Sequence, residues 1–375
     1  MHRAAVTLSL VAVLFVGGSV GVTSVRAQGP TEGRTLQVRA ERPHFISSAA
    51  WFPGGLLLLD LTQERLQWLD GDGRLTPLRE LGEMVQRMRP LGTSGDLLVQ
   101  MANQEWWTLR VAPSGEWALR SRWACPSCSI HSWAALHGEK ILGVGEVRLE
   151  TAAEPIDSTA SEALTAPIGS GAQDPEPADD EAEPAWLAGL FWVSSDGPPE
   201  LAYPLDGSEL PLYLMGLEWV ASLGNTGYAI VPEPVETRTA SGYRYLQIVE
   251  LPSHHRGHRV VARLPSPMPE VAFFQDRRQM RETLAAVSRQ QVPLALLGWE
   301  GFLYVVQKND LGLGIWRIDP ATGGMEFLDF ASSSDFVTVV PGDEEWAFLH
   351  KGPMLSPGQQ EVRWVTFYPA SGFRR

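Results

Sequence analysis

Only two cysteines occur in 375 residues, Cys125 and Cys128. They cannot staple a chain of this length, so a packed apolar core has to hold the fold. No N-x-[ST] sequon is present: Asn225-Thr226-Gly227 lacks a hydroxyl residue at its third position, so nothing calls for a eukaryotic secretory route. Acidic residues outnumber Lys and Arg by 44 to 30, and the formal net charge is −14. That balance excludes nucleic acid, whose phosphates need a concentrated basic surface. The patterns G-x-S-x-G and H-E-x-x-H and the phosphate loop are also absent. Beyond residue 27 no apolar run is long enough to span a membrane.

What is present begins with a leader. Arg3 precedes the apolar stretch Ala4 to Val22, and Val25 and Ala27 stand at the small-residue positions of a cleavage site. This predicts a signal peptide over 1–27, cut before Gln28, and a protein exported to the periplasm or cell exterior. No cysteine follows the apolar run, which speaks against a lipid anchor. Losing Arg3 and Arg26 would take the formal charge from −14 to −16. Much of that charge is local. Residues 150–184 hold ten acids and no Lys or Arg. Ordering them would cost on the order of 35 kcal/mol of backbone entropy. Ile156, Leu164 and Ile168 could return only about 1.5–3 kcal/mol each. A disordered acidic loop is therefore expected there. A tether for a cationic partner or Ca²⁺ is the alternative, although the calcium-loop order of ligands is missing.

The rest of residues 28–375 repeats. The turn glycines Gly73, Gly115, Gly197, Gly257, Gly323 and Gly372 each follow an apolar strand such as "RLQWLD", "LFWV" or "GIWRI". Before each strand lies a second, among them "GGLLLLDL", "GDLLVQM" and "EWAFL". A third, richer in small residues, precedes that: "ISSAAWF", "HSWAALH", "PLALLGW". After most of the glycines a fourth follows, such as "RLTPL" or "MEFLDF". Four short antiparallel strands, A to D, thus recur six times. One such unit cannot bury both faces alone, whereas units stacked radially cover one another. The last unit ends at "FRR" without its D strand. "RTLQVRAER", residues 34–42, lies ahead of the first A strand and is predicted to supply it. The expectation is an all-β, six-bladed β-propeller in one domain, closed by the N-terminal strand, with seven blades as the alternative. One helical insertion is expected over 273–291, where Phe273, Met280, Leu284 and Val287 share a helical face.

This punctuation resembles the six-bladed propellers of the NHL and TolB-like type. The resemblance covers nearly all of residues 28–375 and implies a fold that hosts hydrolases, lyases, lactonases and plain binding proteins, so it selects no reaction. It also implies that the D-to-A and B-to-C loops share one face, usually the ligand face. The acidic loop, the 273–291 segment, "PEPVETRTASG" and "KGPMLSPGQQ" all fall in such loops, which makes that rim the expected binding face. Candidate residues at the channel mouth are His44, Arg87, Arg89, His131, Glu218 and Asp335. Trp133, with Phe273 and Phe274, is an expected exposed aromatic.

Cys125 and Cys128 form a C-x-x-C between blades two and three. An oxidising destination makes a local disulfide the first reading. A redox pair and a zinc site completed by His131 stay open beside it. "SHHRGH", with His254, His255 and His258, reads as a solvated turn, with metal binding as the alternative. Two functions follow. One is an exported, non-catalytic binding or scaffold propeller for a protein or glycan. The other is a hydrolase or lyase with a metal or a His and Asp pair at the channel mouth. No cofactor is expected under the first; Ca²⁺ or Zn²⁺ would fit the second. A monomer is expected.

Overall fold

The computed structural model describes residues 25–28, 33–38, 46–52, 55–60, 65–78, 85–91, 95–112, 116–136, 139–148, 186–205, 218–234, 243–253, 257–265, 268–269, 293–309, 312–329, 336–351 and 362–374. Its strands form six blades. Blade one holds Ile46–Phe52, Gly55–Asp60, Arg65–Leu69 and Leu75–Pro77; blade two holds Val85–Leu91, Asp96–Met101, Glu105–Val111 and Trp117–Ala124. Cys128–Ala135, Lys140–Arg148, Trp186–Ser194 and Gly197–Pro204 make blade three, and Val220–Leu223, Thr226–Pro232, Leu246–Pro252 and Arg259–Arg263 make blade four. Blade five is Pro293–Trp299, Phe302–Asn309, Gly312–Ile318 and Met325–Asp329. Blade six takes Phe336–Val340, Glu345–Lys351 and Val362–Pro369 from the end of the chain and Arg34–Gln37 from its beginning. The closing strand runs antiparallel to its neighbour, with Arg34 opposite Phe367 and Gln37 opposite Trp364, as the missing D strand predicts.

The ring is sealed by five core clusters that between them span all six blade-to-blade seams. Leu57, Leu59, Met88 and Leu97 join blades one and two. Trp106, Ile130, Trp133 and Phe191 join two and three. One continuous cluster, with Leu142, Ile230, Ile248 and Val305, runs from blade three through four to five. Tyr304, Trp346, Phe348 and Phe373 join five and six. Val38, Ile46, Leu58 and Val365 close six back onto one. Indole donors add directed bonds across three seams: Trp51 Nε1 to the Val340 carbonyl (3.0 Å), Trp133 Nε1 to Gln100 Oε1 (2.7 Å) and Trp219 Nε1 to the Pro293 carbonyl (2.9 Å). Each meets an otherwise buried acceptor, so these aromatics seal and orient together.

The recurrent turn glycine has a physical reason at two seams. Gly73 has φ +81°, and a Cβ there would stand 2.2 Å from the carbonyl oxygen of Gln37, in the closing strand. Gly323 repeats this against the Val261 carbonyl of blade four at φ +73°. The C–D turn of one blade thus presses on the D strand of the blade before it, and blade one presses on the chain's own beginning. Gly73→Ala meets both a backbone clash and a left-handed φ, which together cost about 2–4 kcal/mol. Gly197, with open space around its Cβ position, should tolerate alanine within about 0.5 kcal/mol. Urea midpoints of the two variants check the contrast.

Two further features concern sequence expectations. Val25–Gln28 runs parallel to Met325–Asp329 as a fifth strand on blade five; a cut before Gln28 would remove three of its four residues. The acidic loop at 150–184 and the helix expected over 273–291 lie outside the described residues. Among the described residues no helix is long and apolar enough to cross a membrane.

Candidate functional site

The A strands line the axis, and five of them carry a β-bulge near their start: between Ile46 and Ser48, Val85 and Arg87, Ile130 and Ser132, Pro293 and Ala295, and Phe336 and Thr338. A bulge adds local twist and re-aims the side chains that follow it, which suits the strand nearest the axis. Blade four differs. Its A strand starts later, and Glu218 instead makes a parallel bridge to Ala295 of blade five, donating its N–H to the Leu294 carbonyl and accepting from the Leu296 N–H.

This places a polar cluster on the strands nearest the axis. Arg87 and Arg89 project from blade two, His131 and Ser132 come from blade three, and Glu218 from blade four. Arg89 Nη2 donates to Glu218 Oε1 at 2.7 Å, and both side chains are about one-fifth exposed (20% and 18%). The pair therefore reaches past blade three to tie blade two to blade four. Arg87 Nη1 lies 3.5 Å from Ser132 Oγ. Burial, and after it the repulsion of Arg89, lowers the pKa of Arg87, while Glu218 opposes the shift. Burial also lowers the pKa of His131; Glu146 counters this and Arg87 adds to it.

Below the Arg89–Glu218 pair lies a cavity of about 1070 Å³. Ala49, Arg89, Ala134, Glu218, Leu296 and Thr338 represent its six walls, one from each blade. Small side chains at Ala135, Ser222 and Gly298 widen it. It extends to the A–B turns, where Gly55, Gly224, Glu300 and the segment Pro341 to Glu345 contribute. That end is opposite the rim where the D-to-A and B-to-C connections join the strands. The described cavity thus lies away from the rim that insertion length singles out.

The sequence candidates divide accordingly. Arg87, Arg89, His131 and Glu218 come together. His44 and Asp335, like Phe273, Phe274, His254 and His255, lie outside the described residues. Trp133 is a correction: it is 1% exposed and gives its N–H to Gln100. Strand alternation turns its large ring into the seam between blades two and three, so it belongs to the core and not to a binding face. His258 lies edge-on to Tyr203, centroids 4.9 Å apart. Cys125 and Cys128 are joined as a disulfide, with Cα atoms 5.3 Å apart, and are buried beside the stacked rings of Trp106 and Trp123. Both cysteines are buried, so the pair sits in a packed seam and not at an open rim. Among the described residues no three His, Cys, Asp or Glu side chains converge as a metal site.

Sequence reasoning missed the A–B rim. Trp299-Glu300 and Gly342-Asp343-Glu344-Glu345 read as ordinary hairpin turns, and only the ring brings them to one opening.

No protein-family model and no curated protein matches the chain. Solved structures similar to it include a gluconolactonase from Xanthomonas campestris, at 13% identity and TM-score 0.46, covering 94% of this chain and 99% of that one. The RRP9 WD40 repeats are similar at 9% identity and TM-score 0.48, covering 91% and 99%. The propeller domain of the Trilobed protease from Pyrococcus furiosus is similar at 8% identity and TM-score 0.42, covering 87% and 96%.

Proposed function

We propose that this chain is an exported, non-catalytic binding propeller that receives part of a protein or glycan partner in its axial channel. The observation that carries the reading is the cavity of about 1070 Å³ walled by all six blades. Its size is at the upper end for sites that hold drug-sized ligands. The only acid and base pair described deep within it, Glu218 and Arg89, is spent on itself at 2.7 Å. A carboxylate oxygen already taken up by a guanidinium is not free to accept a proton from a substrate. Export is supported by the leader and by the disulfide, which persists in oxidising compartments.

A hydrolase or lyase of the NHL or TolB-like kind is the second reading. One observation favours it: burial lowers the pKa of His131, which favours the uncharged imidazole that a general base requires.

Ala135→Trp tests the first reading, because it fills the channel mouth and leaves intact the Ala135 carbonyl, which accepts from Ser222 Oγ. Peptide and oligosaccharide libraries are screened by thermal shift. Ligands should stabilise the parent protein and not the filled variant. Lactone or ester turnover that His131→Gln abolishes would overturn the non-catalytic reading in favour of the second.

A further inference from the structure

We propose that the A–B rim of the channel recognises a basic peptide segment and seats an arginine side chain against Trp299, Glu300 and the Asp343 carbonyl. This rests on the channel reading above and names its ligand.

Charge complementarity comes first. Among the described residues the cavity lining contributes one guanidinium, Arg89, against five carboxylates: Glu218, Glu300, Asp343, Glu344 and Glu345. Arg34 and Arg374 approach from outside and pair with Glu345 and Glu300. Three cations therefore face five anions, and the excess is negative. A chain of net charge −14 adds a long-range attraction for basic partners.

The aromatic walls point the same way. Trp51 and Trp299 both line the cavity. Gly342 lets Trp51 lie close, since a Cβ there would stand 2.7 Å from the indole nitrogen. Indole faces attract cations, arginine above all.

The chain itself seats a guanidinium at this place. Arg374 gives two hydrogen bonds to the Glu300 carboxylate, at 2.7 and 2.6 Å, and one to the Asp343 carbonyl at 2.7 Å. Its Cζ stands 5.2 Å from the centroid of the Trp299 ring. The side chain is 44% exposed, so solvent and ligand can reach it. The backbone beside it is fixed separately: Phe373 is fully buried, stacks on Trp346 at 4.1 Å, and accepts from Tyr304 OH at 2.9 Å. Vacating the cage needs only one side chain to turn away. Arg374 is an internal stand-in for the arginine of a partner.

The test uses a short peptide with two adjacent arginines and its citrulline counterpart, which keeps the shape and loses the charge. Binding is followed by tryptophan fluorescence and calorimetry. Arg374→Ala should bind the arginine peptide about tenfold more tightly than the parent protein, equivalent to 1.4 kcal/mol. Glu300→Gln in that background should reverse the gain, and the citrulline peptide should bind neither protein. Equal binding of the two peptides, or no gain in Arg374→Ala, overturns the proposal. So does a neutral oligosaccharide that binds where the arginine peptide does not; if Ala135→Trp blocks that sugar, the channel reading survives alone. Ligands that bind Ala135→Trp as well as the parent protein overturn the channel reading itself.

Discussion

Removal of residues 28–38 should abolish cooperative unfolding, or lower the denaturant midpoint to the edge of stability, whereas removal of 28–32 alone should not. The strand Arg34–Gln37 is the outer strand of blade six. Leu36 and Val38 pack into the core that joins blades six and one. Exposing two such side chains costs about 1.5–3 kcal/mol each. Four ladder residues add about 1 kcal/mol for each lost hydrogen bond. The sum is about 7–10 kcal/mol, comparable to the whole stability of a typical domain. The loss also strips the partner edge from Val365 and Phe367 and the contact from Gly73. A circular-dichroism denaturation series decides it: an unchanged midpoint would mean that this strand does not hold the ring.

Trp346→Ala should cost about 4 kcal/mol, at the level of the largest core truncations. Trp346 is fully buried on the B strand of blade six. Its ring stacks on Phe373 at 4.1 Å and meets Tyr304 and Trp299 edge-on at 4.9 and 5.3 Å. Truncation leaves a cavity that three aromatic rings border, and stiff rings collapse poorly into such a space. Burial first of all raises the Tyr304 hydroxyl to about pKa 12. It therefore stays protonated as the donor to Phe373 in the variant, and the C-terminal anchor is weakened without being released. Urea denaturation gives the number; Trp346→Phe, which refills most of the volume, should recover over half of it. A loss below about 1.5 kcal/mol would mean that the seam between blades five and six repacks freely.

The sequence was informative where the physics is local and repeated. The B-strand stretches "LLLL" at 56–59 and "LYVV" at 303–306 are buried between neighbouring blades and read as continuous apolar runs. The A strands near the axis read as small residues, and the missing last strand pointed to residues 34–42. Periodicity alone therefore determined the blade order and the pairing that closes it. Trp133 shows the limit of this reading. Its strand was correctly placed, yet whether its ring faces a seam or solvent depends on Gln100 in another blade.

The site was legible in half. Arg89 and Glu218, which line the cavity, could be named from their places at or just before the A strands. That Arg89 reaches past a blade to Glu218 could not, because 129 residues separate them and no local pattern encodes the contact. The same holds for Arg374 on Glu300 and for the acidic rim of the cavity. Strand pattern is a property of near neighbours and is written into the chain at every repeat. The charge and shape of an axial opening are sums over six distant turns, and they come into being only when the ring closes.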